Sequence, residues 1–187
     1  MRKVIFGINI TMDGCCGHED MIADDELHAY YTDLLRSVDV ILFGRKTYQL
    51  MESYWPVVAK NQSETKAVNE FAQTIDSLPK IVFSKTLSRV DWKNTKLSRT
   101  NIEEEIPKLK QQPGKNIFID GLSIASHLTR LGLIDEYRIA IHPVVAGKGP
   151  RLVETTDLKE RLHLQLVESQ TFRSGVVTLC YKKHLRS

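Results

Sequence analysis

Leu133-Ile134-Asp135-Glu136-Tyr137-Arg138-Ile139-Ala140-Ile141-His142-Pro143-Val144-Val145-Ala146-Gly147-Lys148-Gly149-Pro150-Arg151-Leu152 joins a helix end, a long β-run and a glycine-rich basic turn in one segment. Tyr137 to Val145 reads as a strand, and Gly147-Lys148-Gly149-Pro150 punctuates it as a turn. Upstream, Asn116-Ile117-Phe118-Ile119 is a short apolar strand, and Ile124, Ala125, Leu128 and Leu131 line one face of the helix that follows. Strand, helix and strand in this order make a βαβ unit, which needs a parallel sheet with helices against it. Downstream, Leu164 to Phe172 and Val176 to Tyr181 alternate on either side of Arg173-Ser174-Gly175, the pattern of an antiparallel hairpin.

The N-terminal half repeats the alternation. Val4, Phe6, Ile8 and Ile10 interleave with Ile5, Gly7 and Asn9 at strand period. Leu27, Tyr30, Tyr31, Leu34, Leu35 and Val38 recur at helical spacing behind Asp24 and Asp25, which suit a helix N-terminus. Val38 to Phe43 is a buried-type strand ending on Gly44; Tyr48, Met51 and Trp55 continue into a helix that Pro56 is expected to stop. Ala67, Val68, Phe71, Ala72 and Ile75 give another amphipathic helix, and Lys80 to Ser84 another strand. Thr100 and Asn101 before Glu103 and Glu104 resemble a capping box, with Pro107 in the first turns or at a kink. The fold class is α/β, with a mainly parallel central sheet and a C-terminal antiparallel hairpin, in a single domain spanning 1–187.

With 187 residues, 42% hydrophobic and 26% charged, the chain can bury a core without metal or disulfide staples. No apolar run reaches membrane-spanning length, and the N-terminus enters a strand pattern directly, so no membrane association and a cytoplasmic location are expected. A net charge of +3, dispersed, argues against nucleic acid as a partner but suits an anionic ligand. Cys15, Cys16 and Cys180 read as reduced thiols, and the Cys15-Cys16-Gly17-His18 run with Glu19 and Asp20 lacks a second ligand pair at metal-binding spacing. No metal is expected.

A glycine ending a buried strand lets a ligand approach the backbone, and the helix after it presents unpaired N–H groups to an anion. Gly44 with Arg45, Lys46 and Thr47 meets that description: Arg45 offers a bidentate fork for a phosphate and Thr47 a hydroxyl. The bland alternative is that Arg45 and Lys85 are solvated charges at loop ends. Asp13, in the turn after the first strand, can face a cleft as an acid or simply close an Asp-Gly turn. Asp120 is positioned to cap the helix that holds Ile124 and Leu128.

Five segments in register, Thr11-Met12-Asp13-Gly14, Gly44-Arg45-Lys46-Thr47-Tyr48, Lys80 to Leu87, Asp120-Gly121 and Asp135 to Leu152, resemble the dihydrofolate-reductase-like reductases. The resemblance is to the reductase domain of the riboflavin-biosynthesis deaminase-reductase, in its stand-alone branch. It implies a three-layer fold of that type, NADPH as cofactor, and reduction of a small pyrimidine or pteridine-like heterocycle. The nearest named activity is 5-amino-6-(5-phosphoribosylamino)uracil reduction. Dihydrofolate reduction, or a non-catalytic nucleotide sensor on the same fold, is the alternative. The same resemblance implies that Gly44, Arg45, Lys46, Thr47 and Gly121 cradle phosphate, that Ser84 and Lys85 meet the 2'-phosphate, that Asp13 orients substrate or relays a proton, and that two copies form a homodimer. Three features depart from the pattern: Asp120 stands where a glycine is usual, Gly7 where the riboflavin-pathway enzymes carry a lysine on the first strand, and Gly44-Arg45-Lys46-Thr47-Tyr48 where those enzymes carry Gly-x-x-Thr and then Asp-x-Pro.

Overall fold

The computed structural model describes residues 1–17, 21–152, 158 and 161–183. Along the chain come β1 (Val4–Thr11), α1 (Asp25–Arg36), β2 (Val38–Gly44), α2 (Arg45–Glu52), α3 (Trp55–Asn61), α4 (Lys66–Ser77), β3 (Lys80–Phe83) and β4 (Thr95–Ser98). They are followed by α5 (Ile102–Gln111), β5 (Asn116–Asp120), α6 (Leu122–Arg130), β6 (Glu136–His142), β7 (Leu164–Thr171) and β8 (Val177–Lys183). The strands form one sheet in the order β4-β3-β2-β5-β1-β6-β8-β7. β1 to β6 pair in parallel, whereas β8 is antiparallel to both β6 and β7. The expected α/β sheet with its C-terminal hairpin is the one observed.

Strand alternation sorts side chains into two helical layers. Val4, Phe6, Val40, Leu42, Ile117 and Ile119 face Ile102, Ile106, Leu109, Ile124, Ala125 and Leu128 of α5 and α6. Ile5, Ile41, Phe43, Val82 and Phe118 face Leu34, Leu35, Tyr48, Phe71 and Ile75 of α1, α2 and α4. Helices on both faces make the three-layer architecture. Among the described residues, no helix is long and apolar enough to cross a membrane.

The Asp-Glu-Tyr start of β6 has a structural cause at each position. The Asp135 carboxylate accepts from the Val4 N–H at 2.8 Å and from Lys110 Nζ at 2.7 Å, fixing β6 beside the start of β1. Glu136 is buried and accepts from Arg138 Nε at 2.7 Å. Tyr137 packs edge-on against Phe6, and its hydroxyl donates to Thr129 at 3.3 Å.

Some local expectations change. Pro56 does not end a helix: α2 stops at Glu52, and Pro56 lies in the first turn of α3, where a missing N–H costs no intrahelical bond. Asn101 precedes α5 without a side-chain bond to the backbone, its amide donating instead to Glu104 at 3.1 Å, and Pro107 sits mid-helix. β6 ends at His142, not Val145, because Pro143 has no N–H for a ladder and the Val144 N–H turns back to the His142 carbonyl. β4 was not foreseen: its Thr-Lys-Leu-Ser sequence carries little apolar signal, and only its place at the sheet edge makes it a strand.

Candidate functional site

The carboxyl ends of six parallel strands come to one edge of the sheet, and that edge is split. β1 and β5 pair through Phe6 and Ile119 and no further, while β1 stays on β6 to His142 and β5 stays on β2 to Asp120. Parallel strands that separate where the connection order reverses leave a crevice outside their carboxyl ends, the usual ligand position in open α/β sheets.

On the β2 and β5 side of this crevice, α2 and α6 begin next to each other. Both are preceded by a glycine, Gly44 and Gly121, and neither start has a side-chain cap. A Cβ on Gly121 would lie 2.9 Å from Thr47 Oγ1 and 3.5 Å from the Gly44 nitrogen, at a φ of +134° that side chains rarely adopt. A Cβ on Gly44 would come within 3.4 Å of Ser123 Oγ. Gly44, Thr47 and Gly121 are therefore one cradle, whose uncapped N–H donors suit a diphosphate. Arg45 and Lys46 are exposed beside it and make no ion pair among the described residues. Gly121→Ala should lower stability by ~1–3 kcal/mol from backbone strain and fill the cradle. Thermal melting checks the first effect and nucleotide titration the second; an Ala variant with native affinity would show that the cradle holds nothing.

One strand over, the Ser84 hydroxyl oxygen accepts from the N–H groups of Thr86 and Leu87, at 3.3 and 3.0 Å, and closes a tight turn. Arg99, after β4, donates to the Ser84 carbonyl at 2.6 Å and to that of Leu87. Lys85 is held exposed on this turn. Sequence reading missed Arg99, whose role depends on the unexpected β4.

Asp13 lies at the opposite wall. Its carboxylate accepts from the Thr11 hydroxyl at 2.6 Å and from the N–H groups of Ala146 and Gly147 at 3.1 and 2.9 Å. These donors hold the carboxyl well below the ordinary range, the Thr11 hydroxyl contributing most. Met12 N–H donates to the Val144 carbonyl, Cys16 N–H to that of Pro150, and Arg151 to that of Asp13, so the loop after β1 is stitched to the loop after β6. A carboxylate so held carries no proton at neutral pH; the geometry gives Asp13 a loop-latching position and no support for a proton relay.

The expected cap role of Asp120 fails. α6 is capped by Gly121 without a side-chain bond, and Asp120 ends β5 with its side chain on the Phe118 face of the sheet. Burial alone raises its carboxyl to about 7. Nearby, Asn9 Oδ1 accepts from the Tyr31 hydroxyl and from His142 Nε2, each at 3.2 Å, and His142 Nδ1 accepts from the Ile22 N–H at 3.0 Å. His142 is fully buried, which pushes its pKa down. The signal for Asn9 was present in the sequence as one polar residue in an otherwise apolar strand. Gly7 adjoins this group: a Cβ there would lie 2.7 and 2.8 Å from carbons of the Phe118 ring and 3.3 Å from the Tyr31 ring. That ring packing leaves no room for a lysine at position 7 without a shift of Phe118 or Tyr31.

Two surface concavities of about 540 and 440 Å3 lie elsewhere, one between α3 and the Asp91–Lys93 loop, the other around the N-terminus and the end of α5. The strand-end crevice stands out by its donors, not by enclosed volume. His18, Glu19 and Asp20 of the cysteine-rich run lie outside the described residues; among those described, no group of three ligating side chains could hold a metal.

The sequence profile of the RibD C-terminal domain matches residues 2–178. The chain belongs to that family. Bacillus subtilis YyaP, an uncharacterized protein, is 38% identical over 96% of this chain and 94% of its own. Among solved structures, a putative riboflavin biosynthesis protein from Shewanella sp. PV-4 superposes with a TM-score of 0.72 at 19% identity, covering 98% of this chain and 99% of that one. A pyrimidine reductase-like protein from Corynebacterium diphtheriae gives 0.69 at 15% identity, over 99% and 93%. Both share the fold over essentially their whole length. RibD C-terminal domains are reductase domains, so membership carries oxidoreductase chemistry as its broad implication.

Proposed function

We propose that this RibD-type chain is an NADPH-dependent reductase of a small pyrimidine or pteridine-like heterocycle, with 5-amino-6-(5-phosphoribosylamino)uracil reduction the nearest named activity. The observation that carries the reading is the convergence of two uncapped, glycine-led helix starts, α2 and α6, beside a crevice between β1 and β5. The Gly44, Thr47 and Gly121 cradle would receive the diphosphate, with Arg45 and Lys46 neutralising its charge. Ser84 has spent its lone pairs on Thr86 and Leu87 and still has a hydroxyl hydrogen to donate, so Ser84 and Lys85 suit the 2'-phosphate. Bound there, NADPH supplies a hydride. The latched loops after β1 and β6 wall the far side. Free thiols at Cys15 and Cys180 agree with a reducing, cytoplasmic setting.

Fluorescence titration of the purified protein with NADPH and NADH tests this directly. Arg45→Ala and Lys85→Ala should each weaken NADPH binding by ~1.5–3 kcal/mol, the worth of a charge-assisted bond. The loss for NADH should be clearly smaller for Lys85→Ala. Equal losses for both cofactors, or none, would sink the 2'-phosphate assignment.

Edge strand β7 is exposed along its length and presents Leu166 and Val167 to solvent. We propose that a second copy covers it, as a strand edge left open among the described residues otherwise invites uncontrolled pairing. Light scattering should give a dimer mass that Val167→Lys reduces to that of the monomer; a monomeric native chain overturns it.

A further inference from the structure

The polar group across the crevice from the phosphate cradle has a fixed sense. His142 Nδ1 accepts from the Ile22 N–H, and burial keeps the imidazole neutral, so its one hydrogen is on Nε2 and is donated to Asn9. A flipped Asn9 would set its own N–H groups against that N–H. The tautomer of His142 therefore forces Asn9 Oδ1 toward His142 and Tyr31 and turns the Nδ2 group the other way. Asn9 is half-buried, and its Nδ2 donors have no partner among the described residues. Asp120 lies on the same side of the sheet, next to the β1–β5 opening. The Phe6–Ile119 pairing places Gly7 opposite it, and Asn9 lies two residues further along β1, roughly 7 Å by strand rise. Between them the backbone at Gly7 is covered by the rings of Phe118 and Tyr31.

We infer that Asn9 and Asp120 form the subsite for the ring of the substrate, a flat heterocycle with a lactam edge, and that Tyr31 and His142 are positioning residues for Asn9. This rests on the reductase reading. Asn9 donates two N–H groups, which a ring carbonyl accepts. Asp120 has no hydrogen-bond partner among the described residues and accepts from, or when protonated donates to, the neighbouring ring nitrogen. Their spacing is bridged by one ring with polar atoms on two edges, beside the Tyr31 ring. A purely aliphatic carbonyl compound would use one of the two groups and leave the other buried and unmet, at a cost in affinity.

The test uses lumazine, a fluorescent pteridinedione, and 1,3-dimethyllumazine, which keeps the carbonyls and lacks the ring N–H donors. Both are titrated into the full chain with and without NADPH. Lumazine should bind, and the dimethyl form should bind roughly tenfold more weakly or worse. Asn9→Asp keeps the acceptor oxygen for Tyr31 and His142 but removes the two donors; it should weaken lumazine at least roughly tenfold with NADPH affinity unchanged. His142→Ala should weaken lumazine less, and Asn9→Asp/His142→Ala should be no weaker than Asn9→Asp alone, because the histidine acts only through the amide. Equal binding of the two lumazines, native affinity in Asn9→Asp, or no lumazine binding by the native chain overturns the subsite. Lumazine binding without NADPH binding would instead overturn the reductase reading and leave the subsite in place.

Discussion

Asp120→Asn should raise the melting temperature at pH 8 and leave it nearly unchanged at pH 4. The Asp120 carboxyl is raised by burial from 3.8 to about 7, so the folded chain holds a proton that the unfolded chain releases between those values. The sign follows from linkage: where the folded state binds more protons, stability falls as pH rises. The penalty is absent below pH 4, grows through the window from 4 to 7, and is complete above 7. About three units at 1.36 kcal/mol each set an upper bound of ~4 kcal/mol. Asp120 keeps part of its surface exposed and asparagine must itself be desolvated, so ~1–3 kcal/mol is the expected gain, roughly 2 to 12 °C for a chain of this length. Equal melting temperatures at pH 8 would mean that water reaches the carboxylate and that the crevice floor is wet. A cost of this kind at neutral pH fits the proposed binding role of Asp120.

Periodicity made most of the frame legible. Short, near-continuous apolar runs at Val4 to Ile10, Val38 to Phe43 and Asn116 to Ile119 marked the central strands because each is largely buried on both faces. Asp24 was readable as a helix-start residue and does accept from the Leu27 N–H at 2.8 Å. The edge was not legible: Thr95 to Ser98 becomes a strand only by hydrogen-bonding to β3, a tertiary effect with no local pattern. The proposed phosphate side was legible at Gly44 to Thr47, because a glycine between a buried strand and a helix is a local signal. The ring side was not, since Asn9, Tyr31, Asp120 and His142 come from four elements and meet only through the sheet order. Asp13 illustrates the limit of motif reading. Its position beside the crevice was anticipated, but the two amides that occupy its carboxylate belong to residues 133 and 134 positions later in the chain.

Gly7→Lys should be among the most damaging single changes in the sheet, although the resemblance to riboflavin-pathway reductases makes lysine look natural there. The first added atom already lies 2.7 and 2.8 Å from Phe118 ring carbons, closer than real contacts allow. Forcing even a methyl group into such packing costs ~1–3 kcal/mol. A lysine adds a long stem and an ammonium that must leave water beside Tyr31, so ~3 kcal/mol or more is expected. Denaturant unfolding of Gly7→Ala, Phe118→Leu and the double variant measures the cause: if the ring is the obstacle, the double should be more stable than the sum of the singles by ~1 kcal/mol or more. Additive effects would move the clash elsewhere, and a Gly7→Lys variant that melts like the native chain would remove it. The outcome bears on the substrate as well as on stability. With Phe118 and Tyr31 packed over Gly7, the polar contacts of the proposed ring side come from Asn9 and Asp120, with no ammonium at position 7 to favour an anion.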